Sequence, residues 1–449
     1  MINMNSHVRS GSALTRHVTK IVVVGFGFGG FSFCKEMWRI SRRKGMGYVD
    51  LLVISDRRYI TFTPTLPELA ASRLSAASVS ADIENLSEKF GFRLLISTVD
   101  RIDLSGRKVY AKGREVGYDV IVLSTGSSDN FHGISISGDN VISLRTVEDA
   151  SVLAERLQAY KVGWDRPDKS HYQVAVIGGG RTGVEAASFL AERLVEIDLS
   201  ASIDHPRIIL LETSGRILPR EPDEISEMTR RTLEKMGVEY RTSVGIKKIE
   251  GSKILLNSGE ILHAGTTIWA AGIRPNTSMP GIQGTVQTKG GRIGVNARLE
   301  ISGIKSAYAI GDIASKEEEN GNTLAENASV AVQEGKFLAR HIANSILEGK
   351  QREMAVFRYR SFGHVIPLGK HSIFIGPKGS ALTGPLGTGI TWFIHFVELF
   401  TNQNRVRFII ESVERWVRIV RTGKDLSPRR VSECHSCQES GRMRHQQRF

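Results

Sequence analysis

Ile21-Val22-Val23-Val24-Gly25-Phe26-Gly27-Phe28-Gly29-Gly30 is a β-branched run that enters a glycine-rich turn, and Val174-Ala175-Val176-Ile177-Gly178-Gly179-Gly180-Arg181-Thr182-Gly183 repeats the pattern. A buried strand, a turn of glycines and a helix-like stretch in that order make the phosphate-binding half of a βαβ dinucleotide unit. The first glycine permits the bend, the second lets backbone approach a pyrophosphate, and the third lets helix pack on strand. The phosphates then meet the positive end of the helix. An acid is expected at the end of the second strand, where a carboxylate accepts hydrogen bonds from ribose hydroxyls. Asp56 closes Leu51-Leu52-Val53-Ile54-Ser55, and Glu212 closes Ile208-Ile209-Leu210-Leu211. Two complete units predict an α/β chain holding two dinucleotides.

Working outward, Asp119-Val120-Ile121-Val122-Leu123 runs into Ser124-Thr125-Gly126 and reads as a strand returning to the first sheet. Thr267-Ile268-Trp269-Ala270-Ala271-Gly272 plays the same part in the second unit, and Ala307-Tyr308-Ala309-Ile310-Gly311-Asp312 brings the chain back to the first. The second Rossmann-like domain is therefore inserted in the first. The division expected is a flexible lead-in at 1–18, a first nucleotide domain at 19–139 and 283–348, a second at 140–282, a C-terminal region at 349–424 and a basic flexible tail at 425–449. Residues 325–346 have helical spacing, with Ala331, Gly335, Leu338 and Ile342 placed for close packing.

The chain has 449 residues and a formal net charge of +13. No aromatic-basic or helix-turn-helix pattern accompanies that charge, so nucleic acid is not the expected partner. Residues 405–449 hold eleven Lys/Arg against five Asp/Glu, which favours an anionic membrane surface. Thr391 to Phe400 is densely apolar after a glycine-rich loop. Ile409, Val413, Trp416, Val417 and Val420 then mark one helical face, with Arg407, Glu411, Arg415, Arg418 and Arg421 elsewhere. Neither segment has the uninterrupted apolar length of a membrane span. Both suit a helix lying in the bilayer plane, a helix pair closing the core, or a homodimer interface. Three cysteines, Cys34, Cys434 and Cys437, make no disulfide framework. Cys434-His435-Ser436-Cys437 lacks a second ligand cluster, so no metal is expected.

These pieces in this order resemble the two-dinucleotide flavoproteins, and in particular the type II NADH:quinone oxidoreductases. The resemblance covers about residues 19 to 422. It rests on Asp56-Arg57-Arg58-Tyr59-Ile60-Thr61-Phe62-Thr63-Pro64, on Ala270-Ala271-Gly272-Ile273-Arg274-Pro275-Asn276 and on Ala309-Ile310-Gly311-Asp312. It implies FAD on the first unit, with Gly25, Gly27, Gly29 and Gly30 at the pyrophosphate and Asp56 at the ribose. Pro64, Thr125, Gly126 and Gly311 would lie nearby, and Asp312 at the ribitol. It implies NADH on the second unit, with Gly178, Gly180, Thr182 and Gly183 at the pyrophosphate, Glu212 at the adenosine ribose and Gly272 close by. Glu185 resembles the acid that the family places near nicotinamide and flavin.

A carboxylate at Glu212 would repel the 2′-phosphate of NADPH, while Arg216 nearby works the other way. Toward the acceptor the resemblance implies an Ala-Gln-x-Ala-x-Gln-Gln helix beside a membrane quinone. The chain has Ala328-Ser329-Val330-Ala331-Val332-Gln333-Glu334-Gly335, which keeps Gln333 and departs at Ser329 and Glu334. The implied activity is non-pumping, two-electron quinone reduction at the cytoplasmic face of the cell membrane. The alternatives are a soluble flavin reductase of another acceptor and a redox sensor. A sulfide:quinone reductase would need cysteines beside the flavin.

Overall fold

The structure is a computed structural model that describes residues 18–422 apart from 46–48, 164–172, 198–207, 281, 283–287, 289, 319–320, 322 and 349–354. Of the lead-in expected at 1–18, residues 1–17 lie outside the described residues, as does the Cys434-His435-Ser436-Cys437 tail. Its helices, in chain order, are α1 (Phe28–Lys44), α2 (Leu66–Ala70), α3 (Ala76–Val79), α4 (Ile83–Phe90), α5 (Val147–Gly163), α6 (Arg181–Ile197), α7 (Asp223–Lys235), α8 (Ala328–Glu348), α9 (Gly384–Glu398) and α10 (Asn402–Thr422). The chain forms two compact units. One comprises Met1–Arg58, Glu84–Gly126 and Pro275–Tyr359, and the other Tyr59–Ile83, Ser127–Arg274 and Arg360–Phe449.

The first unit is built on a five-stranded parallel sheet in the order Ala307–Ala309, Val120–Leu123, Thr19–Val24, Val49–Ser55, Arg93–Ile96. Ile21 pairs Leu51 and Val23 pairs Val53 on one side, while Val22 pairs Ile121 on the other. Parallel strands buried on both faces need continuous apolar runs, which these β-branched segments supply. Val22, Val24, Ile121 and Leu123 face one core with Ile102, Val109, Ile293 and Ile301. Packed on each other, α1 and α8 bury Phe33, Met37, Leu338 and Ile342. Gly335 makes that approach possible, because a Cβ there would run into the Gly29 carbonyl and lie 2.9 Å from Phe33 N.

The second unit repeats the theme with Val141–Ser143, Thr266–Trp269, Val174–Ile177, Ile208–Leu211 and Val238–Arg241, all parallel. A smaller four-stranded sheet, Ser135–Ser137, Ile246–Glu250, Lys253–Leu256 and Ile261–His263, shares a core with it through Ile177, Leu211, Ile249 and Trp269. The same unit holds the antiparallel strands His364–Leu368, His371–Ile375 and Ala381–Leu382, then α9 and α10. α9 starts earlier than the sequence suggested, at Gly384 rather than Thr391. Pro385 presets its first turn, and Gly387 inside it packs where a Cβ would lie 2.6 Å from the carbonyls of Leu382 and Ser372. Glycines that read as a loop serve close approach within a helix. Leu399 and Phe400, expected in that helix, lie just beyond it and are buried.

Candidate functional site

In the first unit the expected residues gather at the carboxyl ends of adjacent parallel strands, where open α/β sheets hold ligands. Gly25 follows Val24 with φ +93° and donates its N–H to Ile54 O at 2.8 Å. A Cβ on Gly25 would run into the Ser124 carbonyl, and one on Gly30 would lie 2.5 Å from Gly25 O. Between them Gly27 faces open space. Tight turn, open approach and close packing thus fall on the three glycines in the order a pyrophosphate cradle requires. α1 begins with extended backbone at Gly27, no side-chain cap and no acid in its first turn, so its leading N–H groups are left for an anion.

Asp56 stands exposed at the end of Val49–Ser55. The Thr125-Gly126 turn is stapled to Asn276, whose Nδ2 donates to Thr125 O at 2.9 Å and whose N–H donates to Gly126 O at 3.0 Å. Sequence reasoning quoted Asn276 only as part of a longer match. Ser124, whose Oγ would lie 3.1 Å from a Cβ on Gly29, it did not single out. No spacing rule marks a serine at that place.

Gly311, with φ +73°, and Asp312 open a short 3₁₀ turn after Ala307–Ala309. The Gly311 N–H donates to Glu334 Oε2 at 2.6 Å. Glu334 is 2 % exposed, and burial pushes its carboxyl up to about 8, with Asp312 adding repulsion and the Gly311 bond, Lys316 and Arg292 pulling the other way. At neutral pH Glu334 is therefore mostly a neutral acid. That explains how it fills a position where the family resemblance implied glutamine: the protonated carboxyl has nearly the same shape and no charge. On the preceding residue, Gln333 Nε2 donates to Ser329 Oγ, one turn earlier, at 3.4 Å, and the Tyr359 hydroxyl lies 3.5 Å from the same oxygen.

The second unit builds the same cradle. Gly178 has φ +107° and would place a Cβ 2.6 Å from Ala270 O; Gly180 faces open space; a Cβ on Gly183 would run into Gly178 O. No acid lies in the first turn of α6, where Thr182 is exposed. Glu212 Oε2 accepts the Gly179 N–H at 2.6 Å, and Oε1 accepts the Ser214 N–H at 2.7 Å. Burial opposes charge on Glu212, but these bonds outweigh it and hold the carboxyl below its ordinary range. The charged carboxylate keeps lone pairs for ribose hydroxyls.

Arg216, the cation that sequence placed ambiguously beside Glu212, is already engaged. It pairs with Asp223, and its Nη2 donates to the carbonyls of Pro219 at 3.1 Å and Glu221 at 2.9 Å. Glu185, half-buried on α6, is pushed up to about 8 by burial, against the pull of Arg181 and with repulsion from Glu68. Gly272, at φ +130°, is positioned by its carbonyl, which accepts the Asn130 N–H at 3.1 Å. Pro64 sits half-buried in the 3₁₀ turn Thr63–Thr65 of this unit.

Cys34 is fully buried in α1, and burial pushes its thiol far above the usual range, so it offers no thiolate. The C-terminal helices are inverted relative to an ordinary surface pair. α10 turns polar groups inward: Asn404 Nδ2 donates to Ala77 O at 2.9 Å and Ser80 O at 2.8 Å, while Glu411 accepts from Ser75 N and Ser78 Oγ. Outward it presents Val406, Ile409, Ile410, Val413 and Trp416, the last 65 % exposed. α9 adds Leu386, Phe393 and Val397. Among the described residues no helix is long and apolar enough to cross a membrane.

The sequence profile of the pyridine nucleotide-disulphide oxidoreductase family matches residues 19–335. A probable NADH dehydrogenase of Dictyostelium discoideum is 25 % identical over 427 residues, 91 % of each chain. A type II NADH:quinone oxidoreductase of Staphylococcus haemolyticus is 27 % identical over 364 residues, 78 % of this chain and 88 % of that one. The solved structure of NDH2 from Plasmodium falciparum in complex with NADH superposes with a TM-score of 0.80 at 20 % identity, covering 91 % of this chain and 99 % of the other.

Proposed function

This chain belongs to the pyridine nucleotide-disulphide oxidoreductase family, and on that premise we propose that it is an FAD-dependent NADH:quinone oxidoreductase. The observation that carries the reading is the pair of complete glycine cradles, with no usable redox cysteine among the described residues. Between residues 1 and 433 the sequence has Cys34 alone, and its thiol is buried, so no disulfide among the described residues stands as the route for electrons. The named relatives, an NADH dehydrogenase and an NADH:quinone oxidoreductase, support a quinone as that route.

FAD, when bound, would supply the two-electron chemistry that links a hydride donor to the quinone. We assign FAD to the domain at 19–139 and 283–348, where Gly25, Gly27, Gly29 and Gly30 cradle its pyrophosphate, Asp56 its ribose and Asp312 its ribitol. Thr125, Gly126 and Gly311 complete that assignment. NADH falls to the domain at 140–282, on Gly178, Gly180, Thr182, Gly183 and Gly272. Glu212 selects NADH because its charge is secured and Arg216, four residues on, is committed to Asp223 and two carbonyls. Glu185 serves at the nicotinamide and Gln333 at the acceptor.

The outward apolar faces of α9 and α10, with Arg407 on the flank, support a peripheral hold on an anionic bilayer at its cytoplasmic face, through the region at 349–424. In-plane binding brings the enzyme to a lipid-soluble acceptor. The test is a stopped-flow cycle: NADH bleaches the flavin, and a short-chain quinone then restores its colour within the turnover time. A flavin that NADH bleaches and quinone leaves bleached sinks the acceptor assignment and favours a soluble reductase or a redox sensor.

A further inference from the structure

Arg181, the first residue of α6, is a cation at a helix end whose dipole favours an acid. It directly follows Gly180, which faces open space at the mouth of the second cradle, and its side chain is 41 % exposed. Its Nε lies 3.8 Å from Glu221 Oε1. That gap is too long for a hydrogen bond, so the pair holds by charge alone. Glu221 has a closer partner in His364, on the strand His364–Leu368, whose Nε2 donates to Glu221 Oε2 at 3.0 Å. A carboxylate only accepts, so Nε2 carries the proton of this bond. The bond from His364 is the main cause that holds the Glu221 carboxyl below its ordinary range, against burial, with electrostatic attraction to His364 and Arg181 helping.

The backbone of Glu221 is fixed in place. Its N–H donates to Leu218 O at 3.0 Å, and its carbonyl accepts from Arg216 Nη2 at 2.9 Å. The same loop lies on the cradle, since the Leu218 N–H donates to Gly179 O at 2.7 Å. Arg181 therefore stands beside a phosphate cradle on one weak, exposed tether, and the carboxylate of that tether keeps its hydrogen bond from His364 when the guanidinium leaves. The other charge close to Arg181 is Glu185, one turn along α6, which the guanidinium attracts. We propose that Arg181 exchanges Glu221 for the dinucleotide pyrophosphate, with Glu221 and His364 as positioning residues that set how readily it does so. The inference rests on the assignment of NADH to this cradle. A guanidinium makes paired, charge-assisted hydrogen bonds to phosphate oxygens, which are stronger than a charge contact at 3.8 Å. The exchange also brings a full positive charge to a place where the helix start supplies only N–H groups.

The test is calorimetric titration of the full-length, FAD-loaded protein with tetrahydro-NADH, a dinucleotide that keeps the pyrophosphate and gives no hydride. The strength of hydrogen bonds to charged groups predicts that Arg181→Gln weakens binding about ten- to a hundredfold. Glu221→Gln removes the competing charge and keeps a partner for His364, so it should tighten binding, by up to about fivefold for an exposed ion pair. His364→Ala leaves Glu221 dependent on Arg181 and should weaken binding by a similar factor, whereas His364→Ala joined to Glu221→Gln should not. In the Arg181→Gln background, Glu221→Gln should have no effect.

Unchanged affinity in Arg181→Gln overturns the proposal. So does a Glu221→Gln variant that binds no tighter than wild type, or one that still gains when Arg181 is gone, because either reduces the ion pair to packing of the loop. If Glu221→Gln does not fold, His364→Ala takes its place, and an unchanged affinity there overturns the exchange. Wild-type protein that binds no tetrahydro-NADH overturns the assignment of NADH itself, an outcome distinct from tight wild-type binding that the variants leave unmoved.

Discussion

Replacing Glu334 by glutamine keeps the acceptor that the Gly311 N–H uses and removes only what titrates. The buried carboxyl is raised from an ordinary 4.5 to about 8. Between those values the folded chain holds the proton and the unfolded chain releases it, so Glu334 contributes stability that is full below about 4.5 and lost as pH rises to about 8. Each pH unit in that window costs about 1.4 kcal/mol, or roughly 5 kcal/mol across it as an upper limit. Glu185, also raised to about 8, adds a similar slope to both proteins and cancels in the comparison. Urea unfolding of flavin-free protein, followed by tryptophan fluorescence from about pH 5 to 8, should show the Glu334→Gln variant gaining on wild type by up to about 1.4 kcal/mol per unit as pH rises. Parallel stability curves would refute the reasoning, for they would mean that Glu334 stays charged in the fold.

Glu212→Ala should weaken NADH binding and narrow the preference over NADPH, but tight NADPH binding should require Asp223→Ala as well, because Arg216 is otherwise occupied; titration by fluorescence quenching reads both, and a full switch in the single variant would show that Arg216 is free. Gly183→Ala has no room beside the Gly178 carbonyl, so NADH titration should fail while FAD remains bound to the other unit. Normal NADH affinity would remove that turn from the site. Trp416→Asp should weaken sedimentation with anionic vesicles about tenfold, since burying its exposed two-thirds in lipid is worth on the order of 1–2 kcal/mol. The rate of flavin bleaching by NADH in detergent should not change, and undiminished vesicle binding would move the membrane contact elsewhere.

Both glycine cradles were legible because each combines a short-range spacing with the apolar strand that feeds it. The roles of Gly25, Gly27 and Gly30 follow from three residues that must bend, stand clear and pack, whatever surrounds them. Contacts made across the fold were not legible. Glu334 looked like a departure from a glutamine, and only its burial, under a helix returning over the sheet, shows that it sits there as a mostly neutral acid. Arg216 read as a loose cation until the turn after Glu212 and the start of α7 were seen to claim it. The beginning of α9 was hidden because Gly384, Gly387 and Gly389 carry the composition of a loop, and the packing that makes glycine necessary comes from Leu382 and Ser372. The apolar face of α10 was visible in its spacing. That the polar residues Asn404 and Glu411 turn inward could be learned only from their partners on α3 and its flanks.

The central claim is tested most directly by steady-state NADH oxidation with a short-chain ubiquinone or menaquinone analogue and FAD-loaded protein, with and without anionic liposomes, NADPH serving as control. The account predicts fast quinone reduction that liposomes stimulate and NADPH does not support. NADH-bleached flavin with no quinone turnover, in liposomes or out of them, would contradict it.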